Sequence, residues 1–484
     1  MQNQVSGFPL SLQQRQLWRL RNESTAFRAQ CVVLLKGNLN KNILAETVKE
    51  TVKRHEILRT SLWQIPGLKY PIQIITEDCS IELEEIDLKA LVSHEQQRRV
   101  EEVIRQKRNL PFDYERCSLL HLSLLALAPD EHLLALTLPA LCADTQTLDN
   151  LVADISRLYE DFAQGRRSTL DEPMQFIQFS EWQNALLRDE EAAPGKEYWR
   201  KLLAAADHNG VLPSESNFAG ADGFDPAHFE LRLDSDVVAN IDATAQRYDV
   251  CTADLLLACW HMLLWRLTGE GEVLVNCVFD GRKYEELRSA AGLFARSLPL
   301  HCSLDQENSF SQVISNIGEA KREAEGWQEY FTPEQETEVD SDDEPESFYS
   351  YGFECHAWPP PRAAAGVTFS IHTQYVCFDR FKIKLTCTRR GNSLTAEFLY
   401  DRNLFSSTDI ERLGEQFETL LKSSSEKPEV GIRELEVVGT LERQLLLVEW
   451  NKTEAAYPRT ACVHELFQDQ ARHQPNHIAV EFEG

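Results

Sequence analysis

The side chains that could do chemistry lie in one short loop, residues 139–146, which follows a run of apolar residues. Cys142 in this loop could take up an acyl group as a thiolate, and Asp144 could act as a general base. A nucleophilic cysteine needs a nearby base or cation that lowers its pKa, and no histidine is adjacent in the sequence. The simpler interpretation of Cys142 is a small, buried, apolar side chain.

The common short signatures of enzymes are missing from this sequence. It has no Gly-rich phosphate loop, no His-Glu-x-x-His and no Gly-x-Ser-x-Gly, and its 13 histidines are dispersed. The 12 cysteines include no Cys-x-x-Cys. We therefore expect reduced, mostly buried thiols and neither a metal site nor a bound cofactor.

The charge balance excludes two classes of partner. Lys and Arg number 49 and Asp and Glu number 77, so the formal net charge is −28. Such a charge repels nucleic acid and an anionic membrane surface. No run of 18 apolar residues and no basic, apolar leader is visible. We expect a cytoplasmic protein without membrane segments.

Apolar periodicity places the loop between a buried hairpin and an amphipathic helix. Residues 119–127 and 132–138 are apolar runs separated by the turn sequence APDE, which favours a β-hairpin. After the loop, apolar residues recur at helical spacing from Leu148 to Phe162. The loop therefore connects a strand to a helix.

A second block repeats this alternation of strands and helices. Residues 253–267 are apolar nearly all round, which predicts a buried helix, and the patterns of residues 272–279, 382–388 and 394–400 predict strands. The acidic segment 334–346 favours a solvated loop, with a docking site for a basic partner as the alternative. Alternating elements in both blocks predict an α/β or α+β class with two subdomains.

Short motifs in a characteristic order resemble those of condensation domains of nonribosomal peptide synthetases. The resemblance covers essentially the whole chain. The segment 463–467 (VHELF) is similar to the first helix of an adenylation domain, and 450–453 (WNKT) and 457–458 (YP) resemble the linker before it. The motifs of the condensation domain itself are residues 10–18 (LSLQQRQLW), 54–62 (RHEILRTSL), 176–183 (FIQFSEWQ), 197–199 (EYW) and 292–300 (GLFARSLPL).

The resemblance implies two chloramphenicol-acetyltransferase-like subdomains in a V-shaped pseudo-dimer. Between them, a tunnel would admit phosphopantetheine arms delivered by carrier proteins, and the adjacent adenylation domain would be a further partner. The expected division of the chain is 1–170 for the N-terminal subdomain, 171–435 for the C-terminal subdomain, 436–460 for a linker, and 461–484 for the truncated start of the adenylation domain.

The catalytic motif of the family, His-His-x-x-x-Asp-Gly, is degenerate in this chain. Pro139 and Ala140 stand at the two histidine positions and Thr145 at the glycine, so that only Asp144 matches. Ala140 can neither take a proton from an attacking amine nor orient it. The resemblance implies that Asp144 is structural and forms a buried ion pair with Arg59, and that His55 is structural as well.

Two functions remain open on this interpretation. The first is a structural or recruitment platform for carrier-bound intermediates, inactive in amide-bond formation, to which a tailoring enzyme would be recruited. The alternative is a noncanonical acyl-transfer or condensation enzyme that uses the same tunnel without the histidine, by proximity alone. A rewritten crossover segment, in which the acidic residues 334–346 precede SFYSY, favours a changed function on a retained fold.

Overall fold

The computed structural model describes most of the chain. The described residues are 7–21, 24–77, 79, 81–116, 119–205, 210–216, 223–332, 351–454, 460–478 and 480–482. The acidic segment 334–346 lies outside them. The described residues form two compact units, Met1–Val437 and Val438–Gly484.

The larger unit contains two subdomains, each built on a mixed sheet. The strands of the first are β1 Phe8–Pro9, β2 Arg28–Gly37, β3 Thr60–Trp63, β4 Ile72–Ile75, β5 Leu83–Asp87, β6 His121–Ala128, β7 Glu131–Pro139, β12 Arg362–Ala364 and β13 Val367–Val376. In the described residues, six of them form one sheet in the order β12-β13-β2-β7-β6-β5, and a small sheet β1-β4-β3 accompanies it. The helices of this subdomain are α1 Leu12–Leu20, α2 Lys41–Arg54, α3 Ser93–Arg108, α4 Thr145–Ala163 and α5 Phe176–Leu186.

The second subdomain packs its helices on one face of another six-stranded sheet. The strands are β8 Pro226–Arg232, β9 Glu272–Phe279, β10 Arg296–Ser303, β11 Tyr351–Ala357, β14 Ile383–Arg390 and β15 Ser393–Asp401. Within the described residues their order is β10-β9-β11-β14-β15-β8. The helices are α6 Ala193–Ala205, α7 Ser235–Arg247, α8 Thr252–Thr268, α9 Phe310–Trp327 and α10 Ser407–Glu426. The expectation of a mixed α/β fold with two subdomains is confirmed.

The expected division into subdomains is wrong in two places. Helix α5 packs against α1 and β1 of the first subdomain, although it lies beyond residue 170. We assigned residues 171–435 to the second subdomain, but β12 and β13 belong to the first sheet, where β13 pairs antiparallel with β2 from Val367 opposite Gly37 to Val376 opposite Ala29. The pairing covers the outer edge of β2, and the apolar side chains Phe369 and Ile371 enter the first core. The spacing of apolar residues along a strand does not identify the sheet that receives it.

The buried helix α8 organises the second core, as its all-round apolar sequence predicts. Every side chain from Leu255 to Trp265 is buried, and the helix packs against α7, α9 and α10. A glycine with positive φ, Gly269, ends the helix in the left-handed conformation that other residues disfavour. In the described part of the chain no single helix is long and apolar enough to span a membrane, while α7 and α8, bent by 106°, pass that test only as a pair.

In its described residues the smaller unit holds three short helical segments. They are α11 Thr440–Gln444, a π-helical turn over Leu445–Glu449, and α12 Val463–His473. Apolar side chains at Val463 and Phe467 on α12 are exposed.

His261 in the middle of α8 makes stability depend on pH. It is fully buried, both ring nitrogens lack a hydrogen-bond partner, and burial, with a smaller contribution from His301, lowers its pKa from 6.5 to about 3. The unfolded chain therefore binds a proton more readily than the folded chain. The stability contributed by neutral His261 is complete above about pH 6.5 and is lost as the pH falls towards 3.

We predict that His261→Leu removes this component. Between pH 7.5 and pH 5, the free energy of unfolding of the wild type should fall by about 2 kcal/mol more than that of the variant, in urea titrations. His94→Leu, at an exposed position on α3, is the matched control for the replacement of a histidine by leucine. Equal pH dependence in wild type and His261→Leu would contradict the assignment.

Candidate functional site

The loop that carries the sequence-predicted residues starts where β7 ends. Pro139 is the last residue of β7 and lies opposite Arg28 at the start of β2. A one-turn 3-10 helix, Ala140–Cys142, follows, and Asp144 caps α4 by accepting a hydrogen bond from the Thr147 amide at 2.8 Å. We call residues 139–145 the motif loop.

The motif loop is sealed inside the first subdomain. Ala140, Leu141, Cys142 and Ala143 are at most 2% exposed and belong to the first hydrophobic core. The side-chain amide of Gln14 on α1 covers the loop and donates to the Leu141 carbonyl at 3.0 Å. Ala140 therefore presents a methyl group to an apolar core and offers no proton acceptor.

Asp144 is a structural acceptor that joins the two subdomains. The backbone amides of Phe294 and Ala295, from the loop before β10, both donate to its Oδ2 at 2.9 Å. Arg282, from the loop after β9, donates to both carboxylate oxygens at 3.0 and 2.9 Å. Together with the hydrogen bond from the Thr147 amide, these contacts give both oxygens of this fully buried carboxylate their hydrogen-bond donors.

The prediction that Arg59 forms an ion pair with Asp144 is wrong. Arg59 ends a 3-10 turn and leads directly into β3. Its guanidinium donates to the Thr76 carbonyl, just beyond the neighbouring strand β4, at 3.1 Å. It also lies 3.5 Å from the Glu56 carboxylate. Arg282 takes the place beside Asp144. Burial lowers its pKa, but Asp144 and Asp280 more than offset this and raise it above the ordinary value.

The sequence carried one usable signal for Arg282. Gly281 has a φ of +73°, and a Cβ there would lie 2.1 Å from the Phe294 carbonyl oxygen. A glycine directly after a buried strand therefore allows two loops of the second subdomain to touch. This close approach brings Arg282 to the Asp144 carboxylate, and the spacing of motifs alone does not predict it.

The surroundings of Cys142 and His55 give both side chains a structural role. Burial raises the pKa of the Cys142 thiol to about 12, so it is a poor nucleophile at neutral pH. The Nε2 atom of His55 lies 2.8 Å from Asp154 Oδ2, and Arg54 binds the same carboxylate oxygen at 2.9 Å. The structure thus does not bring His55 to the motif loop.

Thr145, at the glycine position of the motif, contacts the second subdomain. Its hydroxyl donates to Glu354 on β11 at 3.3 Å, and Lys384 on β14 pairs with the same carboxylate at 2.7 Å. Burial would raise the pKa of Glu354, but Lys384 holds it below the ordinary value. This buried charge network lies between the two subdomains beside the motif loop.

A cleft of about 440 Å³, which includes open solvent, lies where α1 and α5 meet the second subdomain. None of the residues of the motif loop lines it. The lining residues are Leu12, Gln13, Gln16, Gln183, Ala295, Arg296, Ser297, Phe331, Phe378 and Asp379. Among the residues that the structure describes, no group of three or more His, Cys, Asp or Glu side chains could hold a metal ion.

We predict that Asp144→Ala and Arg282→Ala each lower the free energy of unfolding by about 3–5 kcal/mol, because each leaves a buried charge without its partner. The double variant should lose much less than the sum of the two. Arg59→Ala is the matched control, with an expected loss of about 1 kcal/mol because its contacts are a carbonyl and a partly exposed carboxylate. Unchanged stability of Asp144→Ala in urea unfolding would contradict the structural role.

We also predict that the Cys142 thiol is unreactive in the folded protein. Iodoacetamide at neutral pH should label the exposed Cys462 and leave Cys142 unlabelled until urea unfolds the chain, as peptide mass spectrometry would show. Labelling of native Cys142 at the rate of Cys462 would instead identify an accessible thiolate.

Comparisons with known proteins agree with the motif order. The family model described as "Condensation domain" matches residues 6–447. The chain is 28% identical over 483 residues to a linear gramicidin synthase of Brevibacillus parabrevis, a match that covers 98% of this chain and 9% of that protein. It is 27% identical over 490 residues to chondramide synthase of Chondromyces crocatus, with 98% and 12% covered. The chain thus spans about a tenth of these relatives.

Solved structures share the fold. The X-domain from teicoplanin biosynthesis superposes with a TM-score of 0.77 at 21% identity, over 90% of this chain and 99% of that one. A four-domain nonribosomal peptide synthetase bound to AMP and glycine superposes with a TM-score of 0.82 at 17% identity, over 98% of this chain and 37% of that one. Family model, relatives and fold agree, and the chain belongs to the condensation-domain family of nonribosomal peptide synthetases.

Proposed function

We propose that this chain is a condensation domain that does not form amide bonds and acts as a structural or recruitment platform for carrier-bound intermediates. The observation that carries the proposal is the sealed motif loop. Ala140 lies in an apolar core, where the family motif has a histidine, and no titratable side chain of the loop is free to replace it.

Amide formation requires the attacking amine to lose a proton. A positioned general base typically accelerates such a step by about 10²–10⁴-fold. The neighbours of Ala140 cannot supply one, because the Cys142 thiol has a pKa of about 12 and the Asp144 carboxylate is saturated by Arg282 and three backbone amides. The chain keeps the fold but has no general base at the position of Ala140, which favours a platform rather than a catalyst.

The relatives suggest the setting of such a platform. The curated relatives are synthases of peptide products, much longer than this chain. In our proposal, carrier proteins bring phosphopantetheine-bound intermediates to this domain, and residues 461–484 begin the neighbouring adenylation domain. The exposed apolar side chains Val463, Phe467 and Ile478 suit a segment that packs against further chain. A similar fold, the X-domain from teicoplanin biosynthesis, has been solved in complex with OxyB, which supports recruitment of a tailoring enzyme here.

One observation favours the alternative, a noncanonical acyl-transfer or condensation enzyme. The cleft between α1, α5 and the second subdomain contains Asp379, whose Oδ1 has no hydrogen-bond partner and whose pKa is raised by burial. A carboxylate of raised pKa is a possible proton acceptor, and two reactants held in this cleft would gain from proximity.

The test is a product assay with both flanking carrier proteins loaded. We expect no carrier-bound dipeptide above the rate without the domain, either from wild type or from Pro139→His/Ala140→His. The restored imidazoles would lie in a closed core that no substrate reaches. Mass spectrometry of the carriers reads out the product, and thermal unfolding checks that the variant is folded.

Asp379→Asn separates the two functions. Dipeptide formed by wild type far above the domain-free rate would overturn the platform proposal. Loss of that product in Asp379→Asn, at unchanged melting temperature, would then support the alternative. Dipeptide from the double histidine variant alone would show that the loop lost a base without being remodelled.

A further inference from the structure

Arg28, the first residue of β2, is a buried cation without a buried anion. It is 5% exposed. Its Nη1 and Nη2 atoms donate to the carbonyls of Phe27 and Leu110 at 3.0 and 3.2 Å, and its Nε atom has no hydrogen-bond partner. Among the described residues no carboxylate forms an ion pair with it. Carbonyl oxygens carry only partial charge, so the group remains positive and costly to bury.

Two tyrosines lie beside this cation. Tyr114 interacts with both Arg28 and Arg21, and Tyr375 with both Arg108 and Arg28. Burial raises the pKa of each phenol, so both remain protonated at neutral pH. The hydroxyl of Tyr375 is hydrogen-bonded to the Ala26 carbonyl at 3.0 Å, while Tyr114 lies against Arg28.

The two further arginines are also unpaired within the part of the chain that the structure describes. Arg108, the last residue of α3, lies 4.4 Å from the centre of the Tyr375 ring. Arg21 lies 3.8 Å from the centre of the Trp18 ring and donates to the Trp18 carbonyl. Both are only half-buried. Arg21 and Arg28 share Tyr114 as a neighbour, and Arg28 and Arg108 share Tyr375, so positive charge is concentrated here in a chain whose net charge is −28.

We propose that this arginine cluster, formed by Arg21, Arg28, Arg108, Tyr114 and Tyr375, binds an oxyanion, the phosphate or carboxylate group of a small molecule. Guanidinium N–H groups and the hydroxyl of Tyr114 are donors that suit an oxyanion. The ring of Phe112 holds the Arg28 guanidinium in place, since it lies 4.9 Å from the guanidinium and is stacked on His121. The inference goes beyond the proposed function, because the site requires neither amide formation nor a carrier protein.

The location links the cluster to the motif loop. Arg28 lies opposite Pro139 in the β2–β7 ladder, and Tyr114 lies close enough to interact with Cys142. The cluster therefore lies near the start of the motif loop, whose side chains from Ala140 to Ala143 remain buried.

Calorimetric titration of the full chain at low salt tests the proposal, with inorganic phosphate, phenyl phosphate and benzoate as probes. We expect saturable binding of at least one probe and a higher melting temperature in its presence. Because one charge-assisted hydrogen bond to an anion is lost, Arg108→Gln should weaken binding about tenfold. Tyr114→Phe should weaken it as well, without removing any charge.

Arg98→Gln is the matched control, since Arg98 is exposed on the same helix and its loss removes the same charge. Its affinity should equal that of wild type. Preference for the phosphates or for benzoate identifies which oxyanion the cluster takes. The absence of saturable binding by all three probes, or equal weakening in Arg98→Gln and Arg108→Gln, would overturn the proposal. The half-buried Arg108 is used rather than Arg28 because replacement of Arg28 could unfold the chain.

Discussion

One buried carboxylate, Asp144, holds the two subdomains in register. It caps α4 of the first subdomain and at the same time accepts from Arg282, Phe294 and Ala295 of the second. Thr147, one turn into α4, reinforces the contact, because its hydroxyl donates to the Gly292 carbonyl and accepts from the Gly292 amide. A charge removed from water is tolerated only when it is paired and fully hydrogen-bonded, so the surrounding loops must keep this geometry.

This constraint gives Asp144 a reason to be retained that does not depend on catalysis. Asp144 serves the fold, and its replacement would leave Arg282 buried and unpaired. Ala140 and Pro139 serve only the local packing of the first core, where small or apolar residues are tolerated. Selection on stability therefore retains the aspartate whether or not the loop catalyses a reaction, and the presence of Asp144 says nothing about activity by itself.

Local pattern was enough to predict the elements around the motif loop and the buried helix of the second subdomain, because the spacing of buried apolar residues reveals a helix or a strand. The hairpin of β6 and β7, the helix α4 and the buried α8 follow from apolar spacing alone. Contacts between segments that are distant in the sequence could not be predicted in this way. Arg282 is 138 residues from Asp144, and β13 joins a sheet whose neighbouring strand is β2. Both contacts depend on how loops and sheet edges meet in space, which neither periodicity nor motif order encodes. The arginine cluster was missed for the same reason, since Arg21, Arg28, Arg108, Tyr114 and Tyr375 come from separate segments.

The crossing of β13 into the first sheet sets an order of events during synthesis. On the ribosome, β2 emerges early, but the strand that covers its outer edge comes from Val367–Val376, near the end of the larger unit. At about 5–20 residues per second, roughly half a minute of translation separates the two. Throughout that interval the nascent sheet presents unpaired backbone N–H and C=O groups, a template for association with other chains. The first sheet can therefore be completed only after almost all of the larger unit has been synthesised.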